Sequence, residues 1–118
     1  MSIKVDLDGL EAEIASRGAG YLLTTGEDGR PHSTQVVFEL GDAGMRAKAG
    51  RKTSANINRS GLVALLWPPT EAGDYSLIVD ADATIDGPEG DHYAVITPTH
   101  AILHRPADEG GNDCAPVT

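Results

Sequence analysis

The chain has 118 residues, the size of one compact domain, and a formal net charge of −9. This excess of carboxylates argues against general binding to nucleic acid or to an anionic membrane, since both need a broad basic surface. The single cysteine, Cys114, leaves no disulfide framework, and no apolar run is long enough to span a bilayer, so the sequence predicts a protein of the reducing cytoplasm.

The first half of the chain is predicted to fold as a short helix followed by an antiparallel meander. Apolar residues at helical spacing indicate a helix over Leu7–Arg17, which Gly18 stops. Three strands separated by glycine-containing turns follow it: Tyr21–Thr25, His32–Leu40 and Met45–Ala49.

The second half predicts one more helix and the remaining strands. Gly50–Ser60 is polar and is predicted to form a surface helix lying across the sheet, ended by Gly61. Leu62–Trp67 is almost wholly apolar, which predicts a strand buried on both faces. The last strands are predicted at Tyr75–Ile85, Tyr93–Ile96 and Ala101–His104.

This pattern of elements predicts a mainly β fold. Six or seven short strands with one mid-chain helix are typical of a small antiparallel β-barrel. Residues 1–106 form the single predicted domain, and the polar residues 107–118 are predicted to be a disordered tail.

The basic residues are unevenly distributed along this acidic chain. Between Ala43 and Thr70 there is no Asp or Glu, yet this stretch holds five of the nine basic residues: Arg46, Lys48, Arg51, Lys52 and Arg59. A small anionic ligand held by its phosphate explains such a cluster best, because the rest of the surface would repel a large polyanion.

The segment from 48 to 53 runs from the end of a predicted strand into the start of a predicted helix. A helix N-terminus offers unpaired N–H groups and a partial positive charge, which suit a phosphate. Gly50 allows close backbone approach, Arg51 can bind phosphate oxygens in a bidentate manner, and Lys52 adds a point charge. The alternative interpretation is a set of solvated charges on a surface helix, which the spacing alone does not exclude.

The second predicted strand carries polar side chains on both faces. One face carries Ser33, Gln35, Val37 and Glu39, and the other carries His32, Thr34, Val36 and Phe38. Ser, Thr and Gln side chains offer hydrogen bonds to the carbonyl and ring-nitrogen edges of a heterocycle. The alternative is an ordinary solvent-facing strand.

Other chemistry-bearing residues point more weakly to a site. Trp67, the only tryptophan, could stack on a flat cofactor, but a role in the core or in a subunit contact is favoured. His100 and His104 face the same side of a strand but stand roughly 13 Å apart, too far to share a metal ion. No Walker A loop, nucleophile elbow or Ser–His–Asp arrangement is recognisable.

Several segments together form a longer pattern: Asp28–His32, Gly50–Lys52, Asn56 and Asn58 in the next helix, and the apolar strand Val63–Trp67. Over residues 20–105 this pattern resembles the pyridoxamine 5′-phosphate oxidase-like family of FMN-binding split barrels. The resemblance implies a mainly β fold, a small split β-barrel that is antiparallel and Greek-key-like, with one or two short helices.

The resemblance also implies a noncovalently bound flavin mononucleotide (FMN) and the residues that would hold it. Arg51 and Lys52 would bind the phosphate, with Gly50 allowing close approach and Lys48 near the phosphate or the ribityl chain. The strand that would lie along the ring and the ribityl hydroxyls contributes Ser33, Thr34, Gln35 and Val36. A homodimer with the flavin at the subunit boundary is implied as well, since a barrel this small cannot enclose a flavin alone.

The chain departs from the oxidases of that family in two respects. It stops soon after His104, without the segment rich in Arg and Trp that holds the vitamin substrate, and it has Gly-Arg-Lys where the family has Ser-Arg-Lys. The expected function is therefore a flavin-dependent oxidoreductase acting on an unidentified small substrate, with no catalytic side chain identified. Two alternatives stay open. One is a reductase of the same fold that uses the deazaflavin F420, whose polyglutamyl tail would leave past Arg46 and Arg59, and the other is a non-catalytic flavin-binding or storage protein.

Overall fold

The computed structural model describes residues 2–41 and 44–106. Within them the chain forms one antiparallel sheet and two helical segments. The strands are β1 (Ser2–Lys4), β2 (Gly20–Thr25), β3 (Pro31–Val36), β4 (Glu39–Gly41), β5 (Gly44–Lys48), β6 (Leu62–Trp67), β7 (Ser76–Asp86) and β8 (Tyr93–His104). The helical segments are a 3₁₀ turn at Leu7–Gly9 that runs into α1 (Leu10–Ala15), and α2 (Arg51–Ser60).

The sheet curls because its two ends are joined by only two residues. The strand order is β3-β2-β6-β7-β8-β5-β4, with β1 also paired to β8. β3 ends at Val36 and β4 begins at Glu39, so the strands at opposite ends of this order are almost continuous along the chain. A flat sheet cannot meet this condition, and the strands therefore wrap into a split barrel. The predicted mainly β split barrel with short helices is confirmed.

The core of the barrel is formed by the inward side chains of alternating strand residues. The largest wholly buried side chains are Trp67, Leu22, Ile57, Leu65, Leu77 and Val79. The Trp67 indole N–H donates to the carbonyl of Gly18 at 3.2 Å, and its ring centroid lies 4.8 Å from that of Phe38. Gly20 leaves room for this indole, because a Cβ there would lie 2.7 Å from the ring nitrogen. The favoured core role of Trp67 is confirmed.

Several element boundaries differ from the predicted ones. The strand predicted at His32–Leu40 is two strands, because the chain bends at Val37 and Phe38 to pass from β3 into β4. The two strands predicted after Tyr93 are one continuous strand, β8, whose register with β7 shifts between Asp80 and Ala81. The predicted tail, residues 107–118, lies outside the described residues.

The burial of β6 differs from the prediction that both of its faces are covered. Its alternate residues Val63, Leu65 and Trp67 are buried, but Leu62 is 64% exposed and Leu66 is only half-buried. The strand is therefore covered on its inner face alone within this chain, and the prediction of burial on both faces is wrong. An apolar outer face is left on the sheet.

α2 packs on the barrel against β2, β7 and β8. It buries Thr53, Ser54, Asn56 and Ile57 and exposes its opposite side. It ends where predicted, at Gly61, whose φ of +72° is the left-handed conformation that glycine adopts without strain. In the part of the chain described here, no helix is both long enough and apolar enough to cross a membrane.

Candidate functional site

The junction between β5 and α2 presents an uncapped helix N-terminus. Gly50 is the N-cap residue and has no side chain to accept hydrogen bonds from the first turn. The first helical hydrogen bond runs from the Ser54 N–H to the Gly50 carbonyl at 2.9 Å, so the N–H groups of residues 51–53 have no partner within the helix. Gly50 has a φ of −74° and a ψ of −176°, and a Cβ there would meet nothing within 4 Å. The fold itself therefore does not require glycine at this position.

A cavity of about 710 Å³ lies between the start of β3, the turn before it and one side of α2. Its polar lining includes Arg30, His32, Arg51, Lys52, Asn56 and Arg59. In all, the cavity is lined by four cationic side chains and by the carboxylates of Glu27 and Asp28. We call it the α2–β3 cavity. Its surplus of positive charge makes it a place where an acidic protein can attract an anion.

A buried polar network forms one side of the α2–β3 cavity. The Asn56 side-chain amide donates to the Thr24 hydroxyl at 3.0 Å, and both residues are buried. Arg59 donates through Nη2 to the Asn56 side-chain oxygen at 2.9 Å and to the Thr25 carbonyl at 2.6 Å. Arg59 is thereby fixed in place. Arg51 and Lys52 are exposed and make no ion pair or side-chain hydrogen bond with any residue that the structure describes.

A second cavity, of about 490 Å³, lies on the other side of α2 and shares Arg51 and Ala55 with the first. Here the ring nitrogen Nδ1 of His92 lies 3.2 Å from the hydroxyl of the buried Ser54. The Ala49 N–H also donates to the His92 carbonyl at 3.0 Å. These two contacts connect the start of β8 to the β5–α2 junction and hold the helix N-terminus in position.

The cation cluster of the sequence is divided by the fold. Arg46 and Lys48 lie on β5 and point away from the barrel core, beside carboxylates from the end of β7 and from the turn that follows it. Arg46 lies 3.6 Å from Asp86, and Lys48 lies 3.9 Å from Asp91. Both cations also lie over the ring of Tyr93, at 4.5 and 5.9 Å from its centroid. Lys48 lines neither of the two cavities, and its role at the phosphate or the ribityl chain stays a prediction.

The predicted residues of β3 are divided between two faces. Thr34 and Val36 are half-buried on the same face as His32, whereas Ser33 and Gln35 are exposed on the other face. β3 pairs with β2 along one edge, and its other edge has no strand partner among the described residues. The strand therefore offers backbone groups at its free edge and two sets of side chains. Its contacts with a ring stay a prediction.

The structure adds residues that the sequence did not single out for this site. His32 lines the α2–β3 cavity, although it was not among the residues predicted to bind the ligand. Asn56, Thr24 and Arg59 form the polar network beside it. The alternation of β3 contained a signal for His32, since a period of two places it with Thr34, but nothing local shows that α2 lies beside that face.

Comparison with known proteins gives relatives by sequence and by fold. No protein-family model matches the chain. Uncharacterized protein Mb0449c of Mycobacterium bovis and uncharacterized protein MT0457 of Mycobacterium tuberculosis are each 38% identical to it over 117 residues. Each match covers 88% of this chain and 82% of the relative.

Solved structures share the fold at low sequence identity. A protein of Listeria innocua described as a candidate pyridoxamine 5′-phosphate oxidase superposes with a TM-score of 0.68 at 15% identity, covering 81% of this chain and 95% of its own. The FAD-binding protein of Mycobacterium smegmatis gives 0.62 at 16% identity over 89% and 100% of the two chains. The heme storage protein HutZ of Vibrio cholerae gives 0.63 at 14% identity over 81% and 92%. These matches confirm the split-barrel resemblance at the level of the fold.

Proposed function

The chain belongs to the family of the two uncharacterized mycobacterial proteins and has the pyridoxamine 5′-phosphate oxidase-like split-barrel fold, and we propose that it binds FMN noncovalently. The observation that carries this proposal is the α2–β3 cavity, where Arg51 and Lys52 stand unpaired within the described residues beside an uncapped helix N-terminus. Two of the fold neighbours are described as FAD-binding proteins, which supports a flavin as the class of ligand.

The groups at this junction fit a phosphate dianion. Arg51 offers a planar fork of donors for two phosphate oxygens, and Lys52 offers a mobile point charge. The free N–H groups of the first turn of α2 add donors and the positive end of the helix dipole. A phosphate ester would therefore be neutralised by groups that the folded chain leaves unused.

β3 is the element that we propose lies along the flavin ring. Its free edge offers backbone N–H and carbonyl groups, and Thr34 and Val36 lie on the face that it shares with the α2–β3 cavity. Ser33 and Gln35 would contact a ligand only from the outer face. When bound, a flavin supplies hydride and electron transfer, and the chain supplies position and polarity. A flavin-dependent oxidoreductase acting on a small substrate is the activity that we propose.

The structure bears differently on the two alternatives, the F420-dependent reductase and the non-catalytic flavin-binding or storage protein. The F420 hypothesis needed Arg46 and Arg59 along an exit path, but Arg46 lies beside Asp86 and Arg59 is bonded to Thr25 and Asn56. Arg46 is thus paired with a carboxylate, whereas Arg59 keeps its charge beside the α2–β3 cavity, and the F420 hypothesis stays open. A non-catalytic binding or storage protein stays open, and one fold neighbour is described as a heme storage protein.

We also propose a homodimer, because the outer face of the sheet carries an apolar stripe. The stripe consists of cross-strand neighbours on β2, β6, β7 and β8: Tyr21, Leu66, Ile78 and Ile102. All four are half-buried in the single chain, and Leu62 on the same face is 64% exposed. A second copy of the chain would cover this surface and could supply the part of a flavin site that one small barrel lacks.

Absorption spectroscopy and titration test the proposed function. Purified protein should bind FMN and show the near-UV and blue flavin bands, with release of the flavin on denaturation. Binding of F420 without binding of FMN would support the deazaflavin hypothesis. Stoichiometric FMN without turnover against a panel of donors and acceptors would support storage.

Replacing Arg51 and Lys52 together by Ala tests the assignment of the phosphate site. We expect FMN affinity to fall by several kcal/mol, since charge-assisted hydrogen bonds contribute about 1.5–3 kcal/mol each. Riboflavin, which lacks the phosphate, serves as the internal control and should bind about as well as it does to the parent protein. Isothermal titration with both ligands gives the two affinities. An equal loss for both would contradict the assignment.

A further inference from the structure

We propose that His32 is a further phosphate-binding residue of the α2–β3 cavity, and that it makes the affinity for a phosphorylated ligand depend on pH. This inference rests on the proposed function and assigns a regulatory property to the same site. It adds to Arg51 and Lys52 a histidine, a residue type that can be either neutral or cationic near neutral pH.

The fold places His32 on the strand side of the cavity. It is the second residue of β3, half-buried, and lies on the face that also carries Thr34 and Val36. Across the β2–β3 ladder it pairs with Thr24, whose buried hydroxyl accepts the hydrogen bond from Asn56. His32 therefore lines the cavity beside the polar network, and one side of α2 forms another wall.

The other charged groups of the cavity are mostly engaged. From the β2–β3 turn, Asp28 accepts a hydrogen bond from the Arg30 backbone N–H at 3.0 Å and lies 3.6 Å from the Arg30 Nε atom. From α2, Arg59 is bonded to Thr25 and Asn56.

The groups that remain without an ion pair or side-chain hydrogen bond among the described residues are Arg51, Lys52, Glu27 and His32. Besides Arg59, whose bonds go to uncharged groups, an anion in this cavity would thus meet two cations, one carboxylate at the turn and one imidazole that have no such bond. Among these residue types, histidine is the one that ordinarily changes its charge near neutral pH.

The sign of the pH effect follows from the charge of the ring. A protonated imidazole donates a charge-assisted hydrogen bond to a phosphate oxygen, whereas the neutral ring contributes no net charge. Binding is therefore strengthened where the ring is already protonated, and the advantage is lost as the pH rises. A phosphate monoester itself changes charge near pH 6, so the pH dependence of the affinity alone is ambiguous. The ratio of the FMN dissociation constants of a His32 variant and the parent protein, measured at the same pH, removes this contribution, because the ligand has the same charge in both measurements.

The test compares the full-length protein with His32→Gln, which keeps hydrogen-bonding groups but cannot become cationic. FMN and riboflavin are titrated by calorimetry at pH 5.5, 7 and 8.5, and thermal unfolding checks that the variant is folded. We expect the FMN dissociation constant of the variant to exceed that of the parent by about tenfold or more at pH 5.5 and by less than about twofold at pH 8.5. The riboflavin ratio should stay near one throughout.

His100→Gln is the matched control, since His100 is exposed on β8 and does not line this cavity. For this control, the variant-to-parent ratios of the FMN and riboflavin dissociation constants should stay near one at all three pH values. An FMN ratio for His32→Gln that is the same at all three pH values overturns the inference, and so does a riboflavin ratio that changes in parallel. A parent protein that binds no FMN instead overturns the proposed function, so the two failures are distinguishable.

Discussion

Gly50 shows how a single residue can be free of structural demands and still matter for a ligand. Its φ of −74° is open to any residue, and the space where a Cβ would stand is empty. Gly20 is the opposite case, since the Trp67 indole fills the space above it. A glycine that the fold does not need, at a helix N-terminus beside two cations with no partner in residues 2–41 and 44–106, fits a backbone approached by a ligand.

Replacing Gly50 by Val should separate ligand binding from folding. Val adopts the extended conformation seen here but is a poorer N-cap residue than Gly, so we expect the free energy of unfolding to fall by no more than about 1 kcal/mol. The added side chain would crowd the first N–H groups of α2, and we expect FMN affinity to fall about tenfold, or roughly 1.4 kcal/mol. Urea unfolding and FMN titration measure the two effects. Unchanged FMN affinity would place the phosphate away from Gly50.

At the scale of elements, α2 is held to β2 by a buried polar contact. Asn56 is 3% exposed and Thr24 is 4% exposed, and the amide of the first donates to the hydroxyl of the second at 3.0 Å. A buried polar group is costly when it loses its partner, so this pair specifies where α2 sits on the barrel. The position of Arg59, and with it one wall of the α2–β3 cavity, depends on the same contact.

A double-mutant cycle on Asn56 and Thr24 measures this contact. Asn56→Leu leaves the Thr24 hydroxyl unpaired, and Thr24→Val leaves the Asn56 amide unpaired, so each should cost about 1–3 kcal/mol of unfolding free energy. The double variant should lose clearly less unfolding free energy than the two single variants lose together, because it leaves neither buried polar group without its partner. Urea unfolding of the four proteins gives the coupling. Strict additivity would show that the two side chains do not stabilise each other.

At the scale of the whole molecule, the apolar stripe on the outer face of the sheet stands out in an acidic protein. Its four residues come from strands distant in sequence and meet through the register of the sheet. Asp80 and Asp82 on the outer side of β7 are exposed, so the apolar surface has a charged border. A second copy covering the stripe would bury apolar area and leave these carboxylates in water.

Ile78→Asp should convert the proposed homodimer into a monomer without unfolding it. Ile78 is half-buried on the outer face, where a carboxylate can stay hydrated in the monomer but would be desolvated between two sheets. Analytical ultracentrifugation at micromolar concentration should show the shift, with circular dichroism unchanged. Thr84→Asp is the matched control, because Thr84 is exposed on the same face of the same strand outside the stripe. A parent protein that is monomeric under these conditions contradicts the dimer.

The local features of this protein follow from the sequence. The turn at Gly26–Gly29, the end of α2 at Gly61 and the burial of Trp67 were predictable, because turn chemistry, helix-ending glycines and side-chain size act over a few residues. The cation cluster was equally visible. A family resemblance then added the split barrel, which the solved structures confirm.

Only the tertiary structure decided which groups meet, because strand pairing joins positions that are far apart in the sequence. The acid-free cluster is divided, since the β7–β8 turn brings Asp86 and Asp91 to Arg46 and Lys48 and leaves Arg51 and Lys52 unpaired within the described residues. The uncovered outer side of β6 and the place of His32 beside α2 were decided in the same way. Periodicity determines which face of a strand a residue occupies, whereas topology and register determine what lies opposite that face.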